Sequence, residues 1–361
     1  MYIKRLSLRS FRNYEAAELE FSPLTNVIYG NNAQGKTNIL EAVYLFSQGR
    51  SHRAKSDKEL IRFGDEFARL SLDFRDSERS YGCNMQIAKN GRKSVSINHV
   101  HIMKLSKLMN YLNVVMFSPE DLELVKGSPS ARRRFIDSSV SQLYPAYLAA
   151  LMDYNKALAQ KNSLLKALRA KGSRTDIMLS VWNEQLAQNG SKIMEARAGF
   201  TKFINGAAAA VQNEISGETL RIGYRPGVRT EDRSPEAIFE YLSSKESREI
   251  DMAASMYGVQ RDDLDISVNG CEARLFGSQG QQRTAALSMK IAQAEYIKSI
   301  KGEYPVLLLD DIMSELDINR RMYLSERIRD KQVLITSTDT DLIDKDTDTR
   351  LFRIENGTVI N

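Results

Sequence analysis

The feature that most constrains this chain is the octapeptide GNNAQGKT at residues 30–37, set between a short apolar run and an amphipathic stretch. It fits G-x-x-x-x-G-K-[ST], with Gly30, Gly35, Lys36 and Thr37 at the fixed positions. Glycines let the backbone turn so that successive N–H groups, here including those of Asn31, Asn32, Ala33 and Gln34, face inward as a nest for phosphates at a helix N-terminus. Lys36 then reaches the β- and γ-phosphates of ATP, and the Thr37 hydroxyl ligates Mg²⁺. The flanks agree. Residues 26–29 (NVIY) have the character of a buried strand, and Leu40, Val43, Tyr44 and Phe46 follow at helical spacing.

A second segment, PVLLLDD at residues 305–311, is an apolar run ending in two carboxylates, the pattern of a central parallel strand whose C-terminal edge faces a ligand. Asp310 is expected in the Mg²⁺ shell beside Thr37, and Asp311 is placed to orient or deprotonate the attacking water, a role more often given to Glu. From Lys36 to Asp310 is 310 − 36 = 274 positions. The two halves of the site therefore come from opposite ends of the chain. A third segment, GSQGQQRT at residues 277–284, precedes a strongly periodic helix. Its serine can offer a hydroxyl and backbone N–H groups to a phosphate, although for the segment alone a turn that merely caps a helix is the commoner explanation.

Taken in order, the phosphate loop, GSQGQQRT, LLLDD, SELD (residues 314–317) and ITSTD (335–339) resemble the ABC-type ATPase head shared by SMC and Rad50 proteins. More narrowly, FRNY (11–14), FSPEDL (117–122), VKGSP (125–129), RRRF (132–135) and RDDL (261–264) resemble the RecF family of bacterial recombination and gap-repair ATPases. The resemblance implies an α/β fold: an ABC-type head, with a mixed sheet around the phosphate-loop helix, and a second helical lobe. It also implies an ATP-dependent homodimer on DNA near single-strand junctions, weak DNA-stimulated ATP hydrolysis, and loading of recombinase with RecR and RecO partners in replication, repair and the SOS response.

Residue by residue, the resemblance sets Ser278, Gln279 and Gly280 against the γ-phosphate held by the opposite subunit and puts Asp317 at the seam. Thr338 takes the switch position that is His in many ABC proteins. No glutamine is assigned to the Q-loop, where the segment reads VVMFS at residues 114–118. Arg50 and Arg53 resemble the arginine loop of SMC-type heads, touching phosphate oxygens or DNA; on charge alone a solvated basic loop is as good a reading. Arg132, Arg133 and Arg134 are candidate DNA-phosphate contacts, with an ion-paired helix start as the alternative. Two other readings of the whole chain stay open: an ABC subunit powering another complex, and a nucleotide-binding module that does not hydrolyse.

Composition permits this reading. Lys and Arg total 51 against 46 acidic residues, a net +5 that is compatible with DNA but does not demand it. Two cysteines far apart and three histidines argue against a disulfide or zinc framework and suit a reducing cytoplasm. The N-terminus alternates charge with Tyr2, Ile3, Leu6 and Leu8 and lacks the apolar core of a signal, and no run is long enough to span a membrane.

Along the chain, strand-like stretches at residues 67–74 and 95–100 surround the phosphate-loop helix. Tyr147, Leu151, Tyr154, Leu158, Leu165 and Leu168 then form one helical stripe, and Ile177, Leu179, Trp182, Leu186, Ile193 and Met194 a second, so a short antiparallel helical arm is expected. The domains expected are residues 1–118 with 251–361 as the head and 119–250 as the helical lobe.

Overall fold

In the computed structural model, residues 1–91, 93–338 and 348–360 are described. Asp339 of the ITSTD segment and Asn361 lie outside them. The strands are β1 (Tyr2–Phe11), β2 (Tyr14–Glu20), β3 (Thr25–Tyr29), β4 (Phe67–Arg75), β5 (Ser80–Ala88), β6 (Ser94–Ile97), β7 (Val100–His101), β8 (Val114–Phe117), β9 (Leu220–Arg225), β10 (Asp263–Val268), β11 (Cys271–Glu272), β12 (Val306–Asp310), β13 (Val333–Ser337), β14 (Arg350–Glu355) and β15 (Thr358–Ile360).

They form three sheets. A six-stranded antiparallel sheet runs β2-β1-β4-β5-β6-β7. Its strands alternate buried and exposed residues, as a sheet with one covered face must. A second sheet runs β15-β14-β3-β13-β12-β8, in which β14, β3, β13, β12 and β8 are parallel and only β15 is antiparallel. Its central strands β12 and β13 are apolar up to their C-terminal ends because both faces are covered. The phosphate-loop helix, Lys36–Gln48, shares one core with both sheets: Ile39, Leu40, Val43 and Phe46 pack with Leu6, Leu8, Leu70 and Leu72 and with Val306, Leu308 and Leu334.

The chain divides into two units, the first of residues 1–121, 214–216 and 287–361, the second of 122–213 and 217–286. Residues 251–286, expected with the head, group with the second unit. The reason is a third sheet, β11-β10-β9, in which β10 and β11, from the stretch where short strands and helices are expected to resume after residue 251, pair with β9 from inside the region expected to be helical. The strand expected across residues 95–100 is likewise two strands, because Asn98 and His99 take φ of 47° and 66° and turn the chain into a hairpin.

The helical arm is a hairpin of Pro145–Lys171 and Ile177–Ser216, closed by Gly172 and capped by Asp176, whose carboxylate accepts from Met178 N. The second helix runs 40 residues, well past the periodic stretch that announced it. Its buried stripe also differs: Ile177 is exposed, and the face toward the protein carries Leu179, Asn183, Leu186, Ile193 and Arg197.

Arginine–carboxylate clusters organise the second unit. Arg197, fully buried, donates to Asp137 (2.8 Å), Asp262 (2.7 Å) and the Val259 carbonyl (2.7 Å). Asp262 also accepts from Tyr224 OH (2.5 Å) and Gly227 N (2.7 Å), and burial pushes its carboxyl above the ordinary value even with Arg197 alongside. The RDDL segment is thus the joint of this unit. Removing one member of a buried ion pair strands its partners without compensation. Replacement of Arg197 by Ala is expected to cost about 3–5 kcal/mol, read as a lowered denaturant midpoint for the second unit.

Candidate nucleotide-binding site

The phosphate loop leaves the C-terminal end of β3, a strand flanked on both sides by parallel neighbours, and enters the helix Lys36–Gln48. Gly35 has φ 113°, and a Cβ there would lie 2.6 Å from the Asn13 amide, so neither backbone nor space admits a side chain. A Cβ on Gly30 would collide with the Ile354 carbonyl.

Two turns brace the loop from outside. In the β1–β2 turn, Asn13 donates to the Gln34 carbonyl (2.8 Å) and Tyr14 OH to that of Gly35 (3.0 Å). In the β14–β15 turn, Asn356 N donates to Gln34 Oε1 (2.5 Å) and Gly357 N to the Gln34 carbonyl (3.1 Å). Lys36 Nζ lies back on the loop, donating to the carbonyls of Gly30 (2.7 Å) and Asn31 (2.9 Å). Burial lowers its pKa, opposed by the nearby charges of Asp311 and Asp310.

Sheet order brings the other half of the site into register. Thr37 Oγ1, one residue into the helix, donates to Asp310 Oδ1 at 2.8 Å, across 273 positions of chain. Thr336 Oγ1, on the intervening strand β13, donates to the same oxygen at 2.7 Å and accepts from Asp311 N at 2.9 Å. Asp311 itself holds φ 51°, a left-handed conformation unusual for a residue with a side chain, at the N-cap of Ile312–Glu315. The Ser314 hydroxyl bonds both its carbonyl (2.8 Å) and its Oδ1 (3.2 Å). The junction of strand and helix thus fixes the Asp311 backbone and holds one oxygen of its carboxylate.

Behind the loop, Glu41 is completely buried and takes a bidentate pair from Arg12 (2.8 and 2.7 Å) and a bond from the Ser51 hydroxyl. Although burial raises its pKa, the bonds from Arg12 and Ser51 hold Glu41 below the ordinary carboxylate value. Ser51 Oγ in turn accepts from Arg53 N (2.9 Å) and Ala54 N (2.8 Å), so one carboxylate anchors both the β1–β2 turn and the loop bearing Arg50 and Arg53. Both arginines are exposed, and Arg53 also reaches Asn38 Oδ1 at 3.2 Å.

The remaining expected residues are on other elements. Ser278 caps the helix Gln279–Lys301 in a reciprocal box: its N–H donates to Gln281 Oε1 (2.9 Å) and Gln281 N to its hydroxyl (3.2 Å). Ser278 and Gln279 are exposed and Gly280 half-buried at that mouth. Asp317 is exposed at the N-cap of Ile318–Ile328, accepting from Arg320 N (3.0 Å), and Thr338 is exposed just past β13.

The arginine cluster needs correction. Arg132 is buried and forms a bidentate pair with Asp263 (2.5 and 3.0 Å), while half-buried Arg133 bonds the Asp262 carbonyl (2.8 Å). These two are committed inside the second unit and leave only Arg134 exposed.

The sequence profile of the RecF/RecN/SMC N terminal domain matches residues 2–359. The chain belongs to this RecF/RecN/SMC family. Within it, the DNA replication and repair protein RecF of Bacillus cereus (strain G9842) is 42% identical, over 99% of this chain and 98% of its own length. The protein of the same description from Bacillus thuringiensis (strain Al Hakam) is 41% identical over the same shares. Among solved structures, the recombination mediator protein RecF of the RecFOR pathway with ATP aligns with a TM-score of 0.93 at 33% identity, covering 99% of this chain and 97% of that one. An Smc head bound to a domain of ScpA aligns with a TM-score of 0.58 at 17% identity and shares the fold.

In this family member, Thr336 is the site residue that sequence reading passed over. Its only sequence signal is a hydroxyl at the polar end of a mostly apolar strand, one strand away from Asp310. Partners that orient a metal-binding carboxylate are worth 10–100-fold in affinity or activity. Thr336→Val, which keeps shape and loses both hydrogen bonds, is expected to lower Mg²⁺-dependent ATP turnover by about that factor while leaving the thermal midpoint within a few degrees, measured by phosphate release and scanning calorimetry.

Proposed function

We propose that this chain is an ATP-hydrolysing DNA replication and repair protein of the RecF type. The observation that carries the reading is the Thr37–Asp310 hydrogen bond beside a glycine-built phosphate nest, in a chain similar along its whole length to RecF proteins solved with ATP. One hydroxyl and one carboxylate, both hard oxygen donors, suit Mg²⁺, which keeps waters and takes its other ligands from phosphates. Among the described residues no cluster of three or more His, Cys, Asp or Glu stands ready for a protein-only metal site. Thr37 and Asp310 would hold the ion, and it would neutralise charge developing on the phosphates.

ATP draws Lys36 away from the Gly30 and Asn31 carbonyls onto the β- and γ-phosphates. Asp311 takes the proton of the attacking water as its oxygen bonds to the γ-phosphorus and the β–γ bridge oxygen leaves with ADP. The Thr338 hydroxyl contacts the γ-phosphate where other heads use histidine.

A second copy contributes Ser278, Gln279 and Gly280 to the same γ-phosphate, with Asp317 along the seam. ATP then joins two heads, and the homodimer clamps duplex DNA next to a single-stranded stretch until hydrolysis opens it. RecR- and RecO-type mediators are the proposed protein partners. No helix among the described residues is long and apolar enough to cross a membrane, which is consistent with work in the cytoplasm.

The division of roles has a direct check in nucleotide binding and phosphate release with and without gapped duplex DNA. Lys36→Ala should abolish ATP binding. Asp311→Asn should bind ATP like the parent protein and turn over roughly 10²–10⁴-fold more slowly. Equal loss of binding in both would contradict the assignment, and DNA-independent turnover would favour an ABC subunit serving some other machine.

A further inference from the structure

The six-stranded antiparallel sheet buries one face in the core and leaves the other open, and the open face has a composition that folding alone does not explain. Its register sets residues in rows across the strands. One row is Arg9, Arg69, Gln86 and Ser94; the next is Ser7, Ser71, Asn84, Ser96 and His101. These nine side chains line an open trough of about 420 Å³, and none of the residues lining it carries a carboxylate. Arg9 and Arg69 are direct cross-strand neighbours, an arrangement in which like charges repel and destabilise the pair. Among the described residues neither forms an ion pair. Arg69 is instead set over the Phe67 ring at 4.7 Å, which orders its guanidinium before any ligand arrives. Of the acidic residues on this face, Glu18, opposite Ser7, pairs with Arg5, Glu20 pairs with Arg350, and Asp73, one row beyond Ser71, lies opposite Arg5.

We propose that this open face of the β2-β1-β4-β5-β6-β7 sheet takes the sugar–phosphate backbone of duplex DNA, with Arg9 and Arg69 as its cationic anchors. The proposal rests on the DNA-binding function proposed above and names a surface for it. The dimensions agree. The serine-rich row crosses five strands spaced about 4.8 Å apart, or roughly 19 Å, and a DNA strand advances about 3.4 Å along the axis per phosphate. Several successive phosphates therefore fall within reach of one row of hydroxyls and amides. These short side chains donate hydrogen bonds to phosphate oxygens without reading base edges, and the aromatic ring beside Arg69, Phe67, is covered by it. The contact is to the backbone and independent of sequence.

The test is binding of a fluorescently labelled duplex in the presence of ATP and Mg²⁺, followed by anisotropy over a range of KCl concentrations, for the full chain and for the double variant Arg9→Gln/Arg69→Gln. Each lost phosphate contact makes the dependence of log affinity on log salt shallower by about 0.9, so the double variant should have a slope shallower by about 2 and bind about tenfold more weakly near 0.15 M salt. Its ATP affinity should match the parent and its thermal midpoint should stay within a few degrees, since both side chains are exposed and neither forms an ion pair among the described residues. Arg9→Lys/Arg69→Lys should restore the slope. Parent-like affinity and slope in the glutamine variant, with the parent binding DNA normally, would overturn the surface while leaving DNA binding intact; so would a weakening with no change of slope. A parent protein that binds no duplex under these conditions would overturn both the functional reading and the surface built on it.

Discussion

Two hydroxyls sharing one carboxylate oxygen hold the chemistry of this molecule together. Thr37 and Thr336 both donate to Asp310 Oδ1, at 2.8 and 2.7 Å, and thereby connect the phosphate-loop helix, strand β13 and the end of strand β12. Nothing nearer in sequence could do this: the residues come from opposite ends of the chain and meet only because β13 separates β3 from β12 in a parallel sheet. The C-terminal edge of such a sheet is where ligands bind, since loops and helix N-termini converge there. Every other feature of the site adjusts what that sheet order brings together.

The bracing around the loop follows the same logic. A phosphate nest works only if its amides are aimed in advance, and here Asn13, Tyr14 and the Asn356–Gly357 turn fix the carbonyls on its outer side. Glu41 extends the brace inward, buried between Arg12 and Ser51, so that the first hairpin of the protein and the loop carrying Arg50 and Arg53 share one anchor. The second unit uses the same chemistry for structure, tying its helices to its small sheet through Arg197 with Asp262 and Arg132 with Asp263.

Local pattern made the central elements legible. The phosphate loop, its helix and the LLLDD strand announce themselves by spacing and by an apolar run that only a doubly covered strand tolerates, and β3 and the helix Lys36–Gln48 stand within two residues of where periodicity put them. Elements whose meaning depends on distant partners were not legible. Arg132 looks on sequence like a surface cation beside two others, and only the return of the chain at Asp263 makes it a buried one. Strands β9 and β10 pair across 38 positions from Arg225 to Asp263, so nothing local betrayed β9 as a strand inside a helical region. In the long arm helix, polar Asn183 and Arg197 occupy the buried face while apolar Ile177 is exposed, because each buried polar group has a hydrogen-bonding partner that an apolar stripe count cannot see.

The central claim is that Ser278 of one copy completes the pocket built on Lys36, Thr37 and Asp310 of another. The most direct measurement mixes two inactive proteins, Lys36→Ala and Ser278→Arg, in equal amounts and follows ATP hydrolysis on gapped DNA. If sites are shared between copies, half of the randomly formed dimers hold one intact pocket out of two, and the mixture recovers roughly a quarter of parental activity although each variant alone has almost none. If the pocket is complete within one chain, mixing restores nothing.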